Sequence, residues 1–214
     1  MTEPEAQLFQ GAAKILGEPL RDSQSQALIR YMDLIVEWNR VHRLVGSSER
    51  AWLVKNVLLD SLLFLRVLPA SIGTLLDIGS GAGVPGIPIK IARPGVSLVM
   101  VESRRKRASF LGAAGRALGL SGVRVVHGRA EDLLRQGERF DAVVARCAGE
   151  LDAMLDLGSS LVTSTGVVVL AGGPGTAEVS GASSVQIVNP ATGAARSFVV
   201  RQHASGGDAP TAVK

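Results

Sequence analysis

A chain of 214 residues with 23 basic and 19 acidic side chains carries a net charge of +4 and has a pI near 9.7. Its 46% hydrophobic content is enough for a core of ordinary domain size, and the mild basic excess permits a nucleic-acid partner without demanding one. A single cysteine excludes an intrachain disulfide and a cysteine-rich zinc site, and 4% aromatics argue against an aromatic base-stacking sheet.

The N-terminus, Met1-Thr-Glu-Pro-Glu-Ala6, is acidic and polar, which is the wrong start for a secretory signal. Residues 1–68 read as a helical cap. Ser23 and Gln26 have the spacing of a capping box. After them Leu28, Tyr31, Met32, Ile35 and Trp38 fall on one face of a helix. Trp38 to Leu44 reads as a basic connection. A second apolar stretch, Trp52 to Leu68, stops at Pro69. Its most apolar part, Val57 to Leu68, is broken by Asp60 and Arg66 and is too short to cross a bilayer. The expectation is a cytoplasmic, monomeric protein with no membrane and no protein partner.

From Thr74 short β-branched runs alternate with helical ones. Residues 74–78, 97–102, 123–127, 140–145 and 166–170 read as strands; 85–92, 104–118 and 150–161 read as helices. That alternation predicts an α/β domain over residues 69–203 with a mainly parallel sheet. Residues 174–203 form a looser β region, with strands expected at 185–188 and 197–201. The small-residue tail, 204–214, is expected to be disordered.

Asp77, Gly79, Gly81 and Gly83 sit where the first strand meets the first helix of this domain. Glycines there let the backbone turn sharply and approach a ligand at the carboxyl edge of the sheet. Gly81 to Gly86 also satisfies the G-x-G-x-x-G dinucleotide fingerprint, which alone is weak. Asp77 separates the two cofactor classes. A carboxylate beside the turn repels a pyrophosphate and suits the ammonium and sulfonium of S-adenosylmethionine. Pro85 and Pro88 remove N–H donors that a pyrophosphate would use. Glu102, closing the second strand, can accept both ribose hydroxyls in either class. Glu131, after the third strand, can meet an adenine edge or simply favour a helix start.

These segments resemble the RsmG/GidB family of bacterial 16S rRNA guanine-N7 methyltransferases over about residues 30–172. The resemblance is carried by Leu76 to Pro94, Glu102-Ser103, Lys106 to Leu111, Gly128 to Glu131 and Arg146, with Trp38-Asn39 and Asp60 to Leu62 upstream. It implies a Rossmann-like class I methyltransferase fold with a mainly parallel seven-stranded sheet and an N-terminal helical extension. It further implies S-adenosylmethionine as cofactor, held by Gly79, Val84, Ala130, Glu131 and Arg146 with Glu102 on the ribose. The implied substrate is guanine 527 of 16S rRNA, as free RNA or in a small-subunit precursor. The sequence departs from the family at three places. Asn56 and Val57 stand where an Arg-His pair is usual, Ala145 to Ala148 replaces Ser-Arg-Ala-Phe, and Gly172 replaces a lysine. Those losses thin the expected positive charge and leave open a paralogue acting on another RNA or a small molecule, or a non-catalytic binding module.

Guanine N7 carries a lone pair and no proton, so its methylation needs alignment and no general base. Arg146 is expected to position the cofactor, the guanine or a phosphate, or to be an ordinary strand-end ion pair; a guanidinium is no base. The basic run Arg104, Arg105, Lys106 and Arg107, with Arg40, His42, Arg43 and Arg129, forms an expected RNA-facing patch or a solvated helix face. Trp38 and Trp52 read as core anchors and Cys147 as a small, partly buried residue. No metal site is expected, because His42, His127 and His203 have no ligand spacing.

Overall fold

The computed structural model describes residues 1–146, 150–172 and 179–203. Cys147 and the tail 204–214 lie outside them. Helix α1 (Glu3–Leu16) and the long α2 (Asp22–His42) come first. A composite helix follows: α3 (Arg50–Leu53), a π-helical turn (Val54–Leu58), α4 (Leu59–Leu62) and a 3-10 turn (Leu63–Arg66). Then strands and helices alternate: β1 (Thr74–Ile78), α5 (Gly86–Ala92), β2 (Ser97–Glu102), α6 (Arg105–Ala117), β3 (Val123–His127), α7 (Ala130–Arg135), β4 (Phe140–Arg146), α8 (Leu151–Leu161) and β5 (Val162–Ala171). The last elements among the described residues are β6 (Ser183–Val188) and β7 (Ala195–Gln202).

The seven strands lie in the order β3-β2-β1-β4-β5-β7-β6. The first five are parallel, and β7 runs antiparallel between β5 and β6. This is the mainly parallel α/β sheet that the strand-helix alternation predicted and the Rossmann-like class I methyltransferase fold that the family resemblance implied. The order reverses direction at β1 and β4. Their connections therefore leave to opposite faces, and a crevice opens at the carboxyl ends of these two strands.

Period-two alternation assigns the side chains. Leu75, Leu98, Met100, Ala142, Val144 and Val169 face α1, α2, α5 and α6. Leu76, Val99, Val101, Val143, Val168 and Leu170 face α7 and α8. Because the central strands are buried on both faces, they read as continuous apolar runs. The predicted α2 face is correct: Leu28, Tyr31, Met32 and Ile35 are fully buried, and Trp38 packs edge-on against Phe110.

Three local expectations are corrected. Helix α2 starts one residue before Ser23, and the Arg21 N–H donates to Gln24 Oε1 at 2.9 Å, so the cap uses Gln24 and not Gln26. The segment from Trp38 to His42 continues α2 instead of forming a connection, because Trp38 packs on both Phe110 and His42. The short helix α7 went unpredicted; six residues give too little periodicity to be seen. Among the described residues, no helix is long and apolar enough to cross a membrane.

Gln24 joins the helical segment to the sheet. Its side-chain amide donates to the Ile91 carbonyl at 3.1 Å and the Ala92 carbonyl at 2.9 Å, satisfying the end of α5. Gln24→Ala is expected to cost about 1–3 kcal/mol, because buried carbonyls lose their donor. Urea unfolding of the two proteins side by side measures it.

Candidate functional site

Between β1 and α5 the chain turns over Gly79–Pro85. Gly79 has φ +68° with open space where a side chain would begin. Gly83 has φ +87°, and a Cβ there would collide with Ile87, whose Cγ1 lies 2.8 Å from it. The amides of Gly79, Ser80, Gly81, Gly83 and Val84 point inward. Gly79 and Ser80 donate to the Val101 carbonyl, Gly81 to Glu102 Oε2 at 2.9 Å, and Gly83 and Val84 to the Ser80 carbonyl. Gly86 donates to Asp77 Oδ2 at 3.1 Å and Ile87 to the Gly83 carbonyl at 2.8 Å. Pro85 and Pro88 have no N–H. A pyrophosphate needs a nest of outward amides at a helix start, and these amides are committed elsewhere. The dinucleotide reading of the G-x-G-x-x-G pattern loses its physical basis here.

Asp77 is completely buried. It does not line open space; it sits beneath the turn and braces it through Gly86. Its Oδ1 is buried with no protein partner. Burial lifts its carboxyl from 3.8 to about 7, against the opposing pull of the Gly86 amide and the Ser80 side chain, with the Glu102 charge adding to the rise. Glu102 is also buried; its two oxygens accept from the Gly81 and Arg104 amides at 2.9 and 2.8 Å. A carboxylate has about four acceptor positions, so two remain for hydroxyl donors.

At the end of β4, Arg146 Nη2 lies 3.4 Å from Asp60 Oδ2. The same carboxylate is held by Arg196 of β7, whose Nε donates to Oδ1 at 2.8 Å and whose Nη2 donates to Oδ2. Burial lowers the pKa of Arg146; Arg196 pushes the same way, and Asp60 and Tyr31 oppose it. Two cations thus share one anion, leaving a net positive charge. Sequence reading missed Arg196, which lies 136 residues from Asp60 and carries no local signal. It also revises the meaning of Gly172. Arg196 Nη1 donates to the Gly172 carbonyl at 3.4 Å, so a guanidinium stands at the end of β5 although that strand has no lysine. At the Asn56-Val57 departure, Val57 is core and the Asn56 side chain donates to the Trp52 carbonyl at 3.0 Å; of the third, Cys147 and Ala148 lie outside the described residues.

After β3, Ala130 is buried and Glu131 is exposed in the first turn of α7, beside the loop whose Gly128 amide donates to the Glu102 carbonyl. Arg129 is exposed at the same helix start. Helices α2 and α6 run antiparallel: Arg30 donates to the Ala117 carbonyl, and further along Trp38 meets Phe110. The C-terminal end of α2 with Arg40 and Arg43 therefore meets the N-terminal end of α6. Arg40, Arg43, Arg104, Arg105 and Lys106 are exposed. Arg107 is half-buried and turned back, its Nη1 3.7 Å from where a Gly81 Cβ would be.

The family model described as rRNA small subunit methyltransferase G matches residues 24–190. A ribosomal RNA small subunit methyltransferase G from Syntrophus aciditrophicus is 38% identical over 166 residues, covering 76% of this chain and 69% of the relative. One from Nitrosospira multiformis is 40% identical over 159 residues, covering 74% and 71%. Among solved structures, cofactor-bound Rv0187 from MTB superposes with a TM-score of 0.55 at 19% identity, covering 82% of this chain and 88% of that one. The yhhF protein of Escherichia coli gives 0.53 at 17% identity, covering 68% and 85%. These two share the fold.

Two outcomes are expected. The folded protein keeps a proton on Asp77 that the unfolded chain releases near pH 4, so its stability falls as pH rises from about 4 to about 7. Asp77→Asn, which can still accept from Gly86, should flatten that slope in urea midpoints taken across the range. Arg196→Ala leaves Asp60 with its looser partner and should lose about 1–2 kcal/mol of stability, with Arg196→Lys recovering part of it in the same assay.

Proposed function

The chain belongs to the rRNA small subunit methyltransferase G family, and on that premise we propose that it transfers a methyl group from S-adenosylmethionine to N7 of guanine 527 in 16S rRNA. The observation that carries the cofactor half is the inward-turned glycine turn above a buried carboxylate with an unpartnered oxygen. That arrangement favours a cationic nucleoside over a pyrophosphate. Gly79, Gly81, Gly83 and Val84 would lie along the cofactor, with Glu102 on the ribose hydroxyls and Ala130 and Glu131 at the adenine. Asp77, ionised as the cationic cofactor displaces its proton, would supply counter-charge from beneath, and Arg146 would complete the mouth. The cofactor supplies an electrophilic methyl on a sulfonium.

The protein's own residues position and do not deprotonate. Asp60 is held by two arginines, Asp77 is buried under the turn, and both oxygens of Glu102 are engaged. None of the three is a free base in the crevice, which suits an acceptor nitrogen that has no proton to lose. Arg146 and Arg196 hold positive charge at the mouth, where they can orient the guanine or an adjoining phosphate.

The RNA half is supported by the joining of two basic segments at the rim of the crevice. Arg104, Arg105, Lys106 and Arg107 sit at the N-terminal end of α6, where the helix dipole disfavours cations. A merely solvated face would not need charges at that end. Together with Arg40, Arg43 and Arg129 they offer phosphate contacts around the glycine turn. This reading sets the protein's work in the cytoplasm, on small-subunit RNA or its assembly intermediates.

Mapping N7-methylguanosine in 16S rRNA from a strain lacking the gene, with and without complementation, tests the substrate. The methyl at position 527 should vanish and return; its persistence after deletion sinks the assignment. Complementation with Arg146→Ala should leave methylation reduced by roughly 100-fold or more in a folded protein. Replacing Arg104 and Arg105 together by alanine should reduce the salt slope of RNA binding by about 1.4, the share of two phosphate contacts on a single strand.

A further inference from the structure

Tyr31 is the only tyrosine of the chain, and its side chain is completely buried. It comes from the middle of α2, yet its hydroxyl ends at the glycine turn, donating to the Ala82 carbonyl at 2.6 Å. Ala82 is flanked by Gly81 and Gly83, both at positive φ. On the Gly83 side no Cβ limits rotation of the Ala82–Gly83 peptide, and its N–H end is held by the Gly83 amide donating to the Ser80 carbonyl at 2.7 Å. The Tyr31 hydroxyl adds a second restraint, at the carbonyl end of the same peptide. Burial, reinforced by the Asp77 charge and opposed by Arg146, holds the phenol well above its ordinary pKa, so it stays a donor at any working pH. Tyr31 is thereby within electrostatic reach of both Asp77 and Arg146, two groups that come from different strands.

We propose that Tyr31 is a positioning residue for methyl transfer: its hydroxyl locks the Ala82 peptide of the glycine turn in the orientation that accepts the cofactor. The inference rests on the reading of this turn as the S-adenosylmethionine site. An unlocked turn would spend part of its time in orientations that do not bind, and apparent affinity falls by the competent fraction. Once the cofactor is bound the turn is ordered again, so the loss falls on cofactor KM and not on kcat. A tyrosine that served only as core would change stability and leave both constants alone.

The test uses the full chain with Tyr31→Phe, which keeps the ring and removes the hydroxyl. Calorimetric titration with S-adenosylhomocysteine should show binding about 5- to 20-fold weaker, the range expected for one buried hydrogen bond. Cofactor KM should rise in parallel, with kcat on small-subunit RNA within about twofold of wild type. A variant that binds within twofold of wild type overturns the proposal. Wild-type protein that fails to bind S-adenosylhomocysteine overturns the cofactor reading instead, which keeps the two failures apart. If the variant does not fold, biosynthetic replacement of tyrosine by 3-fluorotyrosine labels this one site with its hydroxyl intact. Its fluorine resonance should shift and saturate with S-adenosylhomocysteine; a resonance that stays in place through saturation overturns the proposal.

Discussion

The hydrogen bond from the Gly86 amide to Asp77 Oδ2 closes the excursion that the chain makes on leaving its central strand. A carboxyl group buried that deeply is costly, and the amide offsets only part of the cost. In return it pins the first residue of α5 directly over the end of β1. Gly86 has to be glycine for this contact, since a Cβ there would lie 2.7 Å from the same carboxylate oxygen. Everything between, from Gly79 to Pro85, is then a short loop with fixed ends. Five of its amides, those of Gly79, Ser80, Gly81, Gly83 and Val84, turn inward because the Val101 carbonyl, the Ser80 carbonyl and the Glu102 carboxylate are within their reach.

The second level of the site is electrostatic. The mouth of the crevice gathers Asp60 from the N-terminal helices, Arg146 from β4 and Arg196 from β7. One anion between two cations orients both guanidinium groups and leaves surplus positive charge towards solvent. Arg196 is held as solvent could not hold it, because its two-point pairing with the carboxylate restrains the planar guanidinium, whereas Arg146 has a single, longer contact. The π-helical turn at Val54–Leu58 ends two residues before Asp60. One wide turn shifts the phase of every residue that follows it, so it helps decide which way Asp60 faces.

The N-terminal helices complete the site as well as covering the sheet. Tyr31 reaches the glycine turn, Gln24 caps α5 and Asp60 receives the arginines. The basic end of α2 lies beside the basic end of α6 because the two helices pack antiparallel.

How much of this could be read from the residues alone follows from the range of each interaction. The strands, the parallel sheet and the glycine turn were legible, since periodicity, β-branching and the Asp77 to Gly86 pattern act over a few residues. Asp77 and Glu102 were singled out for the same reason, since each lies at the carboxyl end of a strand, whereas Arg146 was singled out by the family resemblance. Contacts between distant segments were not legible. Arg196 looked like one surface arginine in a poorly matching region, and only the antiparallel placement of β7 beside β5 carries it to Asp60 and Gly172. Tyr31 looked like core, and it is core, but its hydroxyl finds the Ala82 carbonyl only after α2 has packed over α5. Asp77 was singled out from its place beside the glycine turn, while its depth was not foreseen, because burial is a property of the surrounding layers and not of the residue. The sequence determined which chemistry was present at the end of each strand. The tertiary structure decided which charges meet, since pairing depends on strand order and helix packing that no local pattern encodes.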